Sequence, residues 1–452
     1  MTRRFSVIDY EKSLDQTATI RDVLPPDHLA RFIVQMISWL DLTAIYAQYA
    51  PVGGEAYAPE LLLGLLCYGY ATGVFSSRKI EKATYESIPF RFLAGGRHPD
   101  HDTIAHFRKT FLAEIADLFA QVLVVAHELG LLKLGNISVD GSKVHADASK
   151  SQAVSYGRLL QLEQRLQAEV EELLALGEKA DQEKLPEGLE LEFEMALRQE
   201  RLLNLKQAKA VLEARAQERY EAEKAEYEAK LREREEKAKK TGGKPGGKAP
   251  QPPTAGPEAK DQYNFSDPDS RIMKNSTDKG FDQHYNAQVA VDQDSRFIVS
   301  NTVSNHANDQ GEALPTVEAI PAAVGKPEAA TLDNGYWSPS NVEELTARGI
   351  EPYIATARDR HHRSWQERFA QEPEPPAEDA SLMVKMAYKL KTDIGKQIYG
   401  LRKSTVEPVI GIIKETLGFR QFSLRCLWAV AGEWCLVCLA YNLKRWHVLM
   451  SS

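Results

Sequence analysis

Glu328-Ala-Ala-Thr-Leu-Asp-Asn-Gly-Tyr-Trp337 decides the fold class. A short run with little polar character reaches an acid at Asp333 and stops in Asp333-Asn-Gly, which reads as a strand over Glu328–Asp333 followed by a turn. Downstream, a helix is expected at about Ser338–Arg348 and a strand at Pro352–Thr356. Upstream, a helix is expected from about Asp309 to Val324. Before it, Tyr285-Asn-Ala-Gln-Val-Ala-Val-Asp292 and Phe297-Ile-Val-Ser-Asn-Thr-Val303 flank Gln293-Asp-Ser-Arg296 and read as a β-hairpin. A further strand, Asn136-Ile-Ser-Val-Asp140, is expected to end at a Gly141 turn. Strands alternating with helices in this way imply an α/β sheet.

The sequence before that sheet is helical in pattern. Leu29, Phe32, Ile33, Met36, Ile37 and Leu40 fall on one helix face, with Pro25 and Pro26 just upstream. Pro59–Thr72 is apolar all round, so its neighbours must cover it. A short helix runs from Ser76 or Ser77 to Glu86, and after Gly95-Gly96 one long helix is expected from about Asp102 to Leu129. Arg78, Lys79, Lys82, Arg91, Arg97, Arg108 and Lys109 lie among these short helices. The pattern suits a helix-turn-helix reader of DNA or an ordinary bundle with a solvated basic face. Between the first strand and the hairpin, Arg158 to about Lys240 is rich in Glu, Lys, Leu, Ala and Gln. Leu159, Leu162, Leu166, Leu173 and Leu176 are at helical spacing, predicting an antiparallel coiled-coil hairpin that turns near Gly177–Gly188. Lys239–Lys260 gathers Gly and Pro and reads as a linker.

With 452 residues, 43% apolar and 27% charged, the chain is long enough for two or three folded domains and lies far from disorder. The net charge of −8 argues against a uniformly basic nucleic-acid binder, but Ser381–Ser452 holds 11 Lys+Arg against 4 Asp+Glu, so one end is basic. Four cysteines are too few for a disulfide scaffold. No charged-then-apolar leader opens the sequence at Met1–Arg4, and a reducing cytoplasm is expected. The most membrane-like stretch, between Arg425 and Lys444, carries Glu433 near its middle and reads as a buried helix, so no membrane partner is expected.

Three acids stand out by position: Asp140 and Asp333 at strand ends, and Glu407 at the expected start of a helix in Ser404-Thr-Val-Glu-Pro-Val409. Carboxylates converging from separate elements suit hard divalent cations, which take oxygen ligands and leave positions open for water and phosphate. Two such ions about 3.5–4 Å apart can serve an in-line phosphoryl displacement. Each acid has a plainer reading. Asp140-Gly and Asp333-Asn-Gly suit turns, and Ser404-x-x-Glu407 matches a capping box, against which Pro408 argues by its preference for the first helical position.

Val139-Asp-Gly-Ser-Lys-Val144, Gly280–Asp292, Asp333-Asn-Gly-Tyr-Trp337 and Tyr399–Phe422 together resemble bacterial insertion-sequence transposases of the DDE class. Gly69-Tyr-Ala-Thr-Gly73, Ser77-Arg-Lys-Ile80 and Phe92–Thr103 are similar to the helical N-terminal domain of these enzymes. The resemblance implies an RNase H-like core, a mixed sheet flanked by helices, whose catalytic and metal-binding acids are matched by Asp140, Asp333 and Glu407, with Mg²⁺ or Mn²⁺ as cofactor. The family signature of Tyr, Arg, Glu and Lys is matched by Tyr399, Glu407 and Lys414. Arg402 keeps the spacing to Tyr399 and Lys403 keeps the spacing to Glu407, so either takes the arginine's place. The implied organisation is a helical DNA-binding domain at 1–130, core segments at 131–150 and 263–452, a coiled-coil insertion at 151–240 and a linker at 241–262.

The implied function is binding of an element's terminal inverted repeats, metal-dependent 3′-end cleavage, and strand transfer into double-stranded target DNA by a homodimer or higher oligomer. Tyr399, Arg402, Lys403, Lys414, Arg78, Lys79 and Arg108 are the expected DNA contacts. The insertion is expected to mediate self-association, brace DNA, or merely elaborate the surface. A silent DNA-binding protein and a stand-alone metal nuclease are the rival classes. Cys435-x-x-Cys438 with Cys426 and His447 reads as core packing rather than a zinc site. His98, His101 and His361-His362 lack ligand sets, Asp267-Pro-Asp-Ser-Arg271 either approaches the active site or is a plain loop, and Trp337 either stacks on a base or packs.

Overall fold

The computed structural model describes residues 6–12, 19–50, 54–179, 189–241, 249–275, 280–357 and 373–451. They form two compact units, Met1–Asp147 with Met273–Ser452, and Ala148–Ile272. In chain order come helices α1 (Leu29–Ile37), α2 (Thr43–Ala47), α3 (Pro59–Ala71), α4 (Ser77–Glu86), α5 (Ile88–Leu93), α6 (His101–Thr110) and α7 (Leu112–Glu128), then strand β1 (Asn136–His145). Next are β2 (Ala153–Ser155), α8 (Tyr156–Lys179), α9 (Leu191–Thr241), β3 (Gln262–Asn264) and β4 (Arg271–Lys274). The chain continues with β5 (Phe281–Asp292), β6 (Ile298–Ser304), α10 (Ala313–Glu318), β7 (Ala329–Leu332), α11 (Pro339–Ala347) and β8 (Glu351–Ile354). It closes with α12 (Leu382–Lys389), α13 (Asp393–Gly400), α14 (Arg402–Gly411) and α15 (Leu427–Met450).

The sheet is mixed. β5 pairs antiparallel with β1 and β6, while β1, β7 and β8 run parallel. Parallel neighbours need crossovers, and α10 and α11 occupy those connections. β5 is buried at every position from Gln283 to Asp292, because both of its faces are covered. At its bulge near Ala290 and Val291, Asn442 of α15 accepts from Ile298 N at 2.9 Å and donates to Ile298 O at 2.8 Å. A buried side-chain amide thus satisfies backbone groups that the ladder leaves open.

α15 is the central helix of this unit, buried from Trp434 to Leu443 and packed against α3, α7 and β6. Cys435 and Cys438 lie inside it, and burial pushes the Cys435 thiol up to about 12, as core packing requires. α3 is covered by α1, α5 and α15, as its all-round apolar sequence demands. The single helix expected over 102–129 is instead two, α6 and α7, bent by 72°. The break is at Phe111, whose ring stacks on Tyr49 and contacts Phe107 in the core. The helix expected over 309–324 is also shorter, since α10 covers only Ala313–Glu318 before Pro321 and a short 3₁₀ turn. No single helix among the described residues is long and apolar enough to cross a membrane.

The second unit is a helical hairpin. Glu169 pairs with Arg198 and Glu163 with Lys209, a descending register that makes α8 and α9 antiparallel. Leu159, Leu205, Ala208 and Leu212 fill its core together with Val154, which lies on β2, paired antiparallel with β3. The expected turn residues 180–188 and linker residues 242–248 lie outside the described residues.

Arg108 is a correction. It belongs to the basic cluster expected to meet DNA, yet it is buried, its side chain 8% exposed and 3.7 Å from the fully buried carboxylate of Glu433. Glu433 also accepts from Tyr70 OH at 2.9 Å, Ser423 N at 2.8 Å, Leu424 N at 3.0 Å and Ser423 Oγ. Arg108 in turn donates to Tyr70 OH at 2.8 Å. A buried carboxylate with this many donors would leave a charge and several donors stranded if truncated. Glu433→Ala is therefore expected to lose about 3–5 kcal/mol of unfolding free energy in urea titrations. A loss below about 1 kcal/mol would show that solvent replaces the network.

Candidate active site

Asp140 lies in mid-strand, opposite Val289 of β5, and β1 runs on to His145 instead of ending at Gly141. Glycine is needed there for space rather than for a turn. A Cβ at Gly141 would collide with the Gln288 amide and stand 2.7 Å from Asp309 Oδ1. Asp333 follows β7 and caps a 3₁₀ turn, Asn334–Tyr336, its Oδ1 accepting from Gly335 N at 2.8 Å. Its turn role and its placement at a strand end are both real.

Glu407 lies on α14, but not at the start. The helix begins at Arg402, so the rival capping-box reading of Ser404 and Glu407 fails, and Ser404 Oγ donates instead to Leu401 O at 3.0 Å. Pro408 falls inside the helix, where it removes a main-chain donor, and a π turn follows at Ile412–Thr416. Lys414, on that turn, donates from Nζ to Ser142 Oγ and to Lys143 O, both at 2.9 Å. Burial lowers its pKa, and it braces the end of β1.

Buried hydroxyls lock the three acid-bearing elements together. Ser138 Oγ is 2.9 Å from Thr405 Oγ1, and Thr331 Oγ1 is 3.0 Å from Ser138 Oγ. Gln293 Nε2 donates to Ser138 Oγ at 3.0 Å and to Ile398 O at 3.2 Å. Ser138, Thr331 and Thr405 each stand two residues before Asp140, Asp333 and Glu407. The acids' relative positions are thus fixed beneath the surface by groups that must pair because they are buried.

A cation sits between two of the acids. Arg402 Nη2 is 2.9 Å from Asp140 Oδ1, and its Nη1 is 3.1 Å from Glu407 Oε1, with the Arg402 side chain only 9% exposed. Of the two candidates for the family arginine, Arg402 is the one turned into the acids, while Lys403 is exposed. Asp333, Asn334, Tyr399, Arg402, Lys403 and Glu407 line one cleft. Burial pushes the Asp140 carboxyl up to about 6, Arg402 opposing the shift and the negative charges of Asp333 and Asp309 adding to it. The donor chemistry, oxygens only, suits a hard divalent cation. Among the described residues, however, no three acids, histidines or cysteines are yet gathered closely enough to hold one. The guanidinium is the cation that Asp140 and Glu407 share.

Four further residues at the site are not singled out by the sequence. Asp309 Oδ1 accepts from Asn286 Nδ2 and Gln288 Nε2, both at 2.8 Å, and Tyr336 OH donates to Gln288 Oε1. Burial first, then the charges of Asp140, Asp309 and Asp333, raises the Tyr336 pKa, which keeps its hydroxyl protonated. The sequence signal is the pair of amides at Asn286 and Gln288, two residues apart and therefore on one face of β5.

Elsewhere, Arg78 and Lys79 are exposed at the start of α4, which packs against α5 and α6. His98 stacks on Tyr85 with centroids 3.8 Å apart, and His101 Nδ1 lies 2.7 Å from Glu81. In the second unit, the Asp267–Arg271 loop closes on itself, Ser270 Oγ bonding Asp267 O at 2.8 Å and Arg271 Nη1 donating to three loop carbonyls. His361 and His362 lie outside the described residues.

The mixed sheet thus carries Asp140 on β1 and Asp333 just after β7, with Glu407 on α14. Residues 18–110 match a transposase domain (DUF772), and residues 253–443 match the transposase DDE domain. The chain is a DDE transposase of the insertion-sequence class, an enzyme that acts on DNA, with an RNase H-like fold and a requirement for divalent metal ions. Asp140 falls between the two matched stretches, so its place rests on geometry. Comparison with curated proteins and with solved structures gives no match.

The raised Asp140 pKa has a definite consequence for stability. A carboxyl whose folded pKa lies above its ordinary 3.8 costs nothing below that pH and destabilises the fold progressively up to about 6. Without divalent cation at pH 7, Asp140→Asn should be more stable than wild type, by up to about 3 kcal/mol, and the gap should close near pH 4. Thermal unfolding across that range checks this, and an Asn variant that is less stable at pH 7 would contradict it.

Proposed function

We propose that Asp140, Asp333 and Glu407 hold Mg²⁺ or Mn²⁺ and that the chain cleaves the 3′ ends of its own element and joins them to double-stranded target DNA. The observation that carries this reading is the hydroxyl network that ties the three acid-bearing elements together beneath a site where a cation already sits between Asp140 and Glu407. When bound, the metal supplies charge neutralisation at the scissile phosphate and acidifies water or a 3′-hydroxyl.

The chain's own groups do the rest. Lys403 and Tyr399, on the cleft wall, contact the DNA backbone, and Arg402 exchanges its carboxylates for phosphate oxygens, which its planar fork matches. Lys414 holds the β1 end, through Ser142 and Lys143, in register for DNA. Arg78 and Lys79 offer exposed cations for the terminal repeats. Two element ends call for at least two copies, so the working form is a homodimer or higher oligomer acting in the cytoplasm.

The test is cleavage and joining of a labelled element end in Mg²⁺ or Mn²⁺, with wild type beside Asp140→Ala, Asp333→Ala and Glu407→Ala. All three variants should lose both steps while retaining DNA binding. Cutting without joining by wild type would make the chain a nuclease, and an inert wild type that binds would make it a silent DNA-binding protein. Binding should also weaken steeply with salt, and Lys403→Ala should flatten that slope by about one unit on a log–log plot.

A further inference from the structure

Asp309 lies between β6 and α10. It does not cap α10, since Glu312 N bonds to the main-chain carbonyl of Asp309, at 3.0 Å, rather than to the side chain. It has no cationic partner among the described residues. What its carboxylate does touch is the acid-bearing face. Oδ1 takes both amides of β5, Asn286 and Gln288, which stand opposite Lys143 and Gly141 of β1.

Two glycines show how closely this carboxylate is wedged. A Cβ on Gly141, next to Asp140, would stand 2.7 Å from Asp309 Oδ1, and a Cβ on Gly335, two residues after Asp333, would stand 3.4 Å from Asp309 Oδ2. Gln288 then carries the connection onward, receiving the Tyr336 hydroxyl from the turn that Asp333 caps. Asp309, Gln288 and Tyr336 thus form a continuous hydrogen-bonded bridge from the Gly141 side of the site to the Asp333 side.

We infer that Asp309 is a positioning residue for the strand-cleavage reaction: through Gln288 and Tyr336 it sets the separation between the Asp140 strand and the Asp333 turn. The inference rests on the proposed assignment of those two acids. It complements the buried hydroxyls of Ser138, Thr331 and Thr405 with a second tie between β1 and the Asp333 turn, made through the buried side chains of Gln288 and Tyr336. Misplacing reacting groups by about 1 Å can cost on the order of a hundredfold in rate, so small errors here matter.

The experiment is steady-state cleavage of a labelled element end by the full chain in saturating Mg²⁺, with thermal unfolding measured beside it. Asp309→Ala and Tyr336→Phe should each lower kcat by about tenfold or more, with KM for DNA unchanged. Asp309→Asn keeps an acceptor oxygen for both amides and should recover activity to within about threefold of wild type. The Asp309→Ala/Tyr336→Phe double variant should be no slower than Asp309→Ala alone, because both break one bridge. Full activity in Asp309→Ala, multiplicative losses in the double variant, or failure of Asp309→Asn to recover activity would overturn the inference. If Asp309→Ala fails to fold, Tyr336→Phe against Asp309→Asn decides: a slow Phe variant beside an active Asn variant supports the bridge, and any other pairing overturns it. An inert wild type would overturn the proposed cleavage reading and this inference with it, whereas an active wild type beside a fully active Asp309→Ala would overturn the inference alone.

Discussion

The carboxylate of Glu433 is the constraint on which the first unit depends. It is wholly buried in the second turn of α15, and it persists there only because Arg108, Tyr70, Ser423 and Leu424 supply charge and donors from three separate stretches of chain. A buried ion costs several kcal/mol to desolvate unless it is so surrounded. The helices that provide Arg108 and Tyr70 therefore cannot drift from α15, and α15 covers β6 of the sheet. The N-terminal helices stay packed on α15 because its buried charge must be satisfied at once from α3, α6 and the Ser423–Leu424 segment.

The active site obeys the opposite rule. There the charges are left under-compensated: three aspartates crowd one face, and one guanidinium is shared between Asp140 and Glu407. Such a site is destabilising for the fold and receptive to added positive charge, as a site tuned for function should be. The hydroxyls of Ser138, Thr331 and Thr405 make this affordable, holding the three elements in place so that repulsion among the acids cannot spread them.

Much of this was legible in sequence. Alternating strands and helices from Tyr285 to Thr356 are a local signal, since each element's pattern is written in its own residues, and the three acids stand out by their positions along it. What could not be read depends on distant partners. Arg108 looks like a surface cation among its neighbours, and only Glu433, more than three hundred residues later, makes it a core residue. Gly141 reads as a turn because turns are the commonest reason for Asp-Gly, whereas here glycine leaves room for Gln288 and Asp309. Pro408 suggests a helix start, yet α14 begins six residues earlier, where Leu401 carbonyl bonds Thr405 Oγ1 at 2.8 Å. Asp309 had no local mark at all.

The insertion shows why so long an excursion is tolerated between two paired strands. β1 and β5 are antiparallel neighbours that a short hairpin loop could join, yet Ala148–Ile272 separates them in sequence. Closing a flexible loop of that length costs only logarithmically more than closing a short one. Here even that cost is reduced, because the insertion closes on itself. β2 pairs with β3 near its two ends, and Tyr156 N and Gly157 N donate to Asp261 O and Ala259 O at 2.8 and 3.1 Å. The Arg219–Asp261 ion pair at 3.0 Å ties the returning chain to α9. Leu159, Leu205, Ala208 and Leu212 give the hairpin a core of its own. The β1–β5 ladder keeps its nine-residue register from Ile137↔Asp292 to His145↔His284 across this excursion.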